Sequence, residues 1–164
     1  MNKFWKEAKD YILIIIAVLI IRTFIVTPAI VDGASMDYTL EDGQLVFINK
    51  FVYNVKDVER FDIVVLNNEE DNDRIIKRII GLPNEKIEYN NNQLYVNGKL
   101  VEQNYEVEQT EDFTVVTKEN EYFVLGDNRD VSKDSRMLGN FNKKDIVGRV
   151  NFRILPFKKF GSIQ

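Results

Sequence analysis

Apolar residues fall along this chain in two regimes. From Tyr11 to Ile21 they run without interruption, and Phe24, Ile25 and Val26 continue the run past Arg22 and Thr23. This pattern predicts a helix from Trp5 to Thr27, stopped by the ring of Pro28. Its length reaches the roughly 20 residues that a bilayer crossing needs. Lys3, Lys6 and Lys9 stand on its N-terminal side against Glu7 and Asp10, so the positive-inside rule predicts a cytoplasmic N-terminus and a translocated remainder. Arg22 would cost ~2.5–3.5 kcal/mol at the membrane centre, but in this register it lies near the outer end, where its stem can reach the headgroups. Two other readings fit the same residues. Tyr11–Ile21 has the length of a signal-peptide core followed by Thr27-Pro28-Ala29 as a small-x-small site, or it is a buried helix of a soluble domain.

From Val31 onward the pattern changes to short runs rich in β-branched and aromatic residues. Leu45–Asn49, Asp62–Leu66, Arg74–Ile80, Lys86–Tyr89, Phe113–Thr117, Glu121–Leu125 and Asp145–Leu155 read as strands, many of them separated by turn formers such as Asp42-Gly43 and Pro83-Asn84. Within Gln93–Val101, Asn97-Gly98 supplies two positions tolerant of positive φ and predicts a type I′ hairpin. The polar stretches Asn67–Asp73 and Asn90–Gln93 read as exposed loops. The expectation is a mainly β, antiparallel domain behind one helix.

Composition narrows the chemistry. The chain's 164 residues suit about one domain. Its net charge of −4 disfavours a partner that tracks phosphates, so no nucleic acid is expected. There is no Cys and no His, which removes thiol nucleophiles, thiolate metal sites and any Ser-His-Asp triad. A hydrolase built from this alphabet needs Lys, Asp, Glu, Tyr or an α-amine as its base.

Candidates for such a site are few. With strand period two, Ile75, Lys77 and Ile79 share a face. Packed inward, Lys77 would be desolvated and its amine driven towards the neutral form of a general base; at a sheet edge it would simply extend along the isoleucines into water. Ser35 follows Gly33-Ala34, small residues that let another backbone approach, although an isolated loop serine is ordinarily just that. Gly126–Gly139 is crowded with polar side chains. Asp127 with Arg129, and Asp134 with Arg136, are spaced to form ion pairs that stiffen a loop, while Ser132 and Ser135 are available to orient another group. The acidic density lacks the spacing of a Ca²⁺ loop, so no metal is expected.

Taken in order, these stretches resemble the type I signal peptidase family, membrane-bound Ser-Lys endopeptidases of bacteria. Gly33-Ala-Ser-Met-Asp-Tyr-Thr-Leu40 is similar to the family's Ser-Met-x-Pro-Thr-Leu box. Asp42–Lys50 and Phe61–Leu66 resemble the strand motifs that follow, and Ile76-Lys-Arg-Ile-Ile-Gly-Leu-Pro83 resembles the lysine box. Gly126-Asp-Asn-Arg-Asp-Val-Ser-Lys-Asp-Ser-Arg136 resembles the late Gly-Asp-Asn-Arg…Ser-x-Asp-Ser-Arg box. The resemblance implies that Ser35 is the acyl-forming nucleophile and neutral Lys77 its base, with Ser132 hydrogen-bonding the lysine amine and Asp134–Arg136 a supporting ion pair. It implies that the Ser35 N–H is one oxyanion donor, and that Val31, Met36, Leu40 and Ile76 line the pockets for two small substrate side chains. The second donor stays open, because Gly33 stands where some relatives carry a hydroxyl. Tyr38 replaces the usual Pro, and Asn84-Glu85 replaces Gly-Asp.

The resemblance also implies an organisation. Residues 1–29 would be a cytoplasmic tip and single transmembrane anchor, and 30–164 an extracytoplasmic catalytic domain with a small β extension at about 84–122. The expected partners are signal-peptide-bearing preproteins and the lipid bilayer, with no cofactor, and the chain is expected to be a monomer. Rival readings are an inactive relative serving as a membrane-anchored assembly factor, a self-cleaving Ser-Lys repressor, and a tethered β binding module. The presence of both Ser35 and Lys77 argues against the first. The apolar N-terminal run and acidic balance argue against the second, and the ordered motifs against the third.

Overall fold

The computed structural model describes residues 3–20 and 25–163. Helix α1 covers Lys3–Ile20 and strand β1 covers Val26–Ile30. The predicted helix to Thr27 is therefore corrected at its end. Val26 and Thr27 are β-branched, and Pro28 restricts the residue before it to extended backbone. Both are taken into a strand paired with Ile48 and Asn49. Residues 21–24, with Arg22, lie outside the described residues. Among the described residues no helix is long and apolar enough to cross a membrane.

The body is mainly antiparallel β. Its strands are β2 (Leu45–Asn49), β3 (Ile63–Asn68), β4 (Asp73–Gly81), β5 (Lys86–Asn90), β6 (Gln93–Val96), β7 (Lys99–Val101), β8 (Phe113–Val116), β9 (Glu121–Leu125), β10 (Phe141–Asn142), β11 (Ile146–Leu155) and β12 (Gly161–Ser162); a short helix, α2 (Ser135–Leu138), precedes β10. They form an eight-stranded sheet in the order β1-β2-β11-β3-β4-β9-β10, with β12 on β11, and a four-stranded sheet in the order β7-β6-β5-β8. The Asn97-Gly98 turn carries φ of 51° and 75°, as a type I′ hairpin requires. Asn90–Gln93 is not a loop. Asn90 pairs with Gln93, and Asn91-Asn92, with φ of 50° and 61°, make a second tight turn. The Asn67–Asp73 loop is shorter than expected, since Asn67 and Asn68 pair with Arg74 and Asp73.

Alternation along β3 divides the core. Ile63 and Val65 pack with Val31, Met36, Leu40 and Val46 on one side. Val64 and Leu66 pack with Ile79, Val124 and Phe141 on the other. A further cluster of Ile80, Ile87, Leu94 and Phe123 seals the smaller sheet. One detail of the topology positions the site. Pairing between β4 and β9 begins only at Arg78 with Leu125, so among the described residues Asp73–Lys77 has a strand neighbour, β3, on one side alone.

Candidate active site

Ser35 lies in the turn that follows β1. Gly43 N–H donates to Val31 O at 2.9 Å and Val31 N–H to Gln44 O at 2.8 Å, anchoring the base of the loop. Its tip is closed by the Asp37 and Leu40 N–H groups donating to Ala34 O and Met36 O. Gly33 N–H is engaged by Asp42 Oδ1 at 2.8 Å. Leu40 differs from its predicted role. It is fully buried in the core beneath the turn with Val31 and Met36, where it anchors the loop. Val31, Met36 and Ile76 do line a groove of about 350 Å³, together with Ser35, Lys77 and Ile75.

Lys77 reaches this turn from the last position of β4 before β9 joins. Its residue is 3% exposed, and Nζ donates to Ser35 Oγ at 2.7 Å and to Ile76 O at 3.0 Å. Among the described residues no carboxylate bonds to the amine. Burial lowers its pKa to about 8, against a partial upward pull from the charges of Asp134 and Asp127. The edge-strand reading, in which this side chain runs out to water, does not describe the fold.

The segment after β9 closes the other side. Asn128 N–H donates to Ser35 O at 3.2 Å. A Cβ on Gly126 would overlap both Ser132 Oγ and Ser35 O, so only glycine lets these backbones meet. Ser132 is buried here, but its hydroxyl makes no hydrogen bond. The predicted bond to the lysine amine is therefore not formed, because Nζ is turned to Ser35 and to its own strand. Asp134 is fully buried. It accepts from Arg136 Nε and Nη2, each at 2.9 Å, and from Gly126 N–H at 3.1 Å, so the ion pair braces the loop.

The other predicted pair is corrected. Asp127 does not meet Arg129; its carboxylate takes Arg78 Nε at 2.9 Å and Nη2 at 2.7 Å. The two-residue spacing is defeated by the turn between them. Arg129 Nε donates to Gly126 O at 2.8 Å and its Nη1 to Tyr89 Oη at 3.1 Å and to Thr110 Oγ1. Arg78, Thr39 and Gly126 are the supporting residues that sequence reasoning missed. Thr39 Oγ1 donates to Asp127 Oδ2 at 2.6 Å and accepts from Arg78 Nη2 at 3.1 Å. The signal for Arg78 was present in Lys77-Arg78 itself, since adjacent cations in a strand flanked by isoleucines put one charge on each face. Among the described residues no cluster of acidic side chains could hold a metal ion.

Comparison with known proteins places this arrangement. Residues 5–155 match the family described as "Signal peptidase, peptidase S26". The chain is similar to signal peptidase I of Bacillus amyloliquefaciens, 42% identical over 93% of this chain and 88% of that one. It is 39% identical to signal peptidase IB of Staphylococcus aureus, over 94% of this chain and 93% of the relative. Among solved structures, a signal peptidase I from Enterococcus faecalis V583 superposes with a TM-score of 0.53 at 35% identity, covering 58% of this chain and 97% of that one.

Proposed function

This chain belongs to the signal peptidase family, peptidase S26, and from that premise we propose that it is a serine endopeptidase that removes N-terminal signal peptides from exported preproteins after a small-x-small site. The observation that carries the catalytic reading is the 2.7 Å approach of Lys77 Nζ to Ser35 Oγ by a buried lysine with no carboxylate partner. As the free amine, Nζ accepts the Ser35 proton while Oγ attacks the scissile carbonyl carbon. The Ser35 N–H stabilises the oxyanion. The lysine ammonium then gives its proton to the leaving amine, and water, deprotonated by the same amine, releases the acyl group.

The unpaired half of β4 supports recognition of an extended substrate. A peptide laid against Asp73–Ile76 adds a strand, and its alternate side chains meet Val31, Met36 and Ile76. Small substrate side chains suit a groove already lined by Val31, Met36 and Ile76.

The described side chains between Tyr11 and Leu19 are all exposed, although they are almost wholly apolar. A helix apolar and unpacked on every side is a helix suited to lipid. Ile30, Phe47 and Phe160 are exposed on β1, β2 and beside β12, apolar side chains suited to a membrane surface. We read residues 1–29 as the cytoplasmic tip and single-pass anchor, 30–164 as the extracytoplasmic domain with about 84–122 its extension, and the chain as a monomer. Because the protein lacks Cys, Lys9→Cys and Glu119→Cys variants would report topology directly. Only Glu119→Cys should react with an impermeant thiol reagent added outside intact cells.

Cleavage of a preprotein carrying an Ala-x-Ala site by the full chain in detergent tests the activity. Specific cleavage by the parent and none by Ser35→Ala or Lys77→Ala is expected. No cleavage by a folded parent would favour the inactive assembly factor instead.

A further inference from the structure

Tyr38 is three residues beyond Ser35 and has φ of 81°, a region that non-glycine residues enter at a cost. Thr39 N–H donates to Met36 O at 3.1 Å, which puts Tyr38 at the third position of a four-residue turn. A φ near +80° there is the type II geometry, which favours Gly or Asn. Proline, fixed near −65°, cannot adopt it. The sequence therefore carries a residue that strains the turn holding the nucleophile, and something must hold the strain in place.

The side chain supplies it. Tyr38 is 54% exposed, and its hydroxyl donates to Glu108 Oε1 at 2.7 Å across 70 residues of chain. Glu108 in turn is tied to the segment that packs on Ser35. Its Oε2 accepts from Asp130 N–H at 3.4 Å and its own N–H donates to Asp127 O at 3.4 Å. Next to it in the same turn, Thr39 bonds Asp127, and Ser35 O accepts from Asn128. The turn is thus laced to the 126–130 segment at three successive places, and Tyr38–Glu108 is the one that brings in the 102–112 connection between β7 and β8.

We propose that Tyr38 and Glu108 form a clasp that positions the nucleophile turn, setting Ser35 Oγ for attack without touching the substrate. Both are positioning residues, and the inference rests on the reading of Ser35 as nucleophile. A reacting group displaced by about 1 Å loses on the order of 10²-fold in rate. Partial loosening of one tie out of three should lower kcat roughly tenfold while leaving KM within about twofold.

Two measurements test this. In the first, kcat and KM for an Ala-x-Ala preprotein are measured for the parent, Tyr38→Phe, Glu108→Ala, Glu108→Gln and the Tyr38→Phe/Glu108→Ala double variant, each matched by a melting curve. Each severing variant should lose kcat, the double should be no worse than either single, and Glu108→Gln, whose amide oxygen still accepts, should keep most of the rate. In the second, hydrogen exchange is followed in the same proteins without substrate. Backbone amides of residues 34–40 should exchange faster in Tyr38→Phe and Glu108→Ala, while those of β3 and β4 stay unchanged. Unaltered exchange in 34–40, kcat within twofold of the parent, or multiplying losses in the double variant would overturn the clasp. A parent that does not cleave, with exchange in 34–40 raised by the variants, would overturn the peptidase reading and leave the clasp standing.

Discussion

Strand β4 buries two cations side by side, and its two faces treat them in opposite ways. Arg78 is 1% exposed and meets the Asp127 carboxylate through two nitrogens. Lys77, one residue earlier, is 3% exposed and is offered only a hydroxyl and a carbonyl. The same turn reaches both, giving Thr39 to the arginine and Ser35 to the lysine. A guanidinium that stays protonated must be given a counter-charge when it is buried. An ammonium has another way out, which is to lose its proton. Structure and chemistry divide along this line: the paired cation holds the loops together, and the unpaired one becomes a base.

The largest effect comes from erasing the difference. Lys77→Arg keeps a cation at the site but removes one that can deprotonate, and preprotein cleavage should fall by about 10³-fold or more; a variant with a tenth of parental activity would break the argument. Next, Asp127→Ala leaves Arg78 buried without its partner and should cost about 3–5 kcal/mol of stability, read by denaturant unfolding. Lys77→Met goes the other way. The folded pKa of the lysine, about 8, lies below its ordinary value of 10.5, so the folded state resists protonation and the parent carries the full penalty at every pH below about 8. Lys77→Met should be more stable at pH 7 by on the order of 2 kcal/mol, and its advantage should shrink as pH rises from about 8 to 10.5, where the unfolded lysine also loses its proton. The smallest effect is the pH profile itself. Cleavage by the parent should rise with pH and level off above about 8, with the rate at pH 7 roughly a tenth of the plateau; a profile that falls across that range would remove Lys77 as the base.

The fold was legible wherever local pattern decides it. The β-branched runs gave β2 and β9 at their observed bounds, and Asn97-Gly98 marked its hairpin because two positive φ values leave little choice of residue. β1 was hidden, since Val26–Ile30 continues an apolar run and its strand character comes from β2, which lies elsewhere in the sequence. Faces were legible too: Ile75 and Ile79 pack in one cluster, as period two demands. What the strand pattern could not decide was whether that face turned inward at Lys77. The partner that answers it, Ser35, is 42 residues away. For the same reason Asp127 was matched to Arg129 by spacing, whereas its counter-charge is 49 residues away on β4. The tie between Tyr38 and Glu108, separated by 70 residues, left no trace in either local pattern.

The half-paired state of β4 has a consequence for the protein on its own. Among the described residues, Asp73–Lys77 has no partner on the side away from β3, and an unmatched row of backbone donors and acceptors will join any extended chain, including another copy of itself. Its outer end carries Asp73 and Arg74, both exposed. Charged side chains on an open edge are one of the devices that disfavour its pairing with a second copy of the chain.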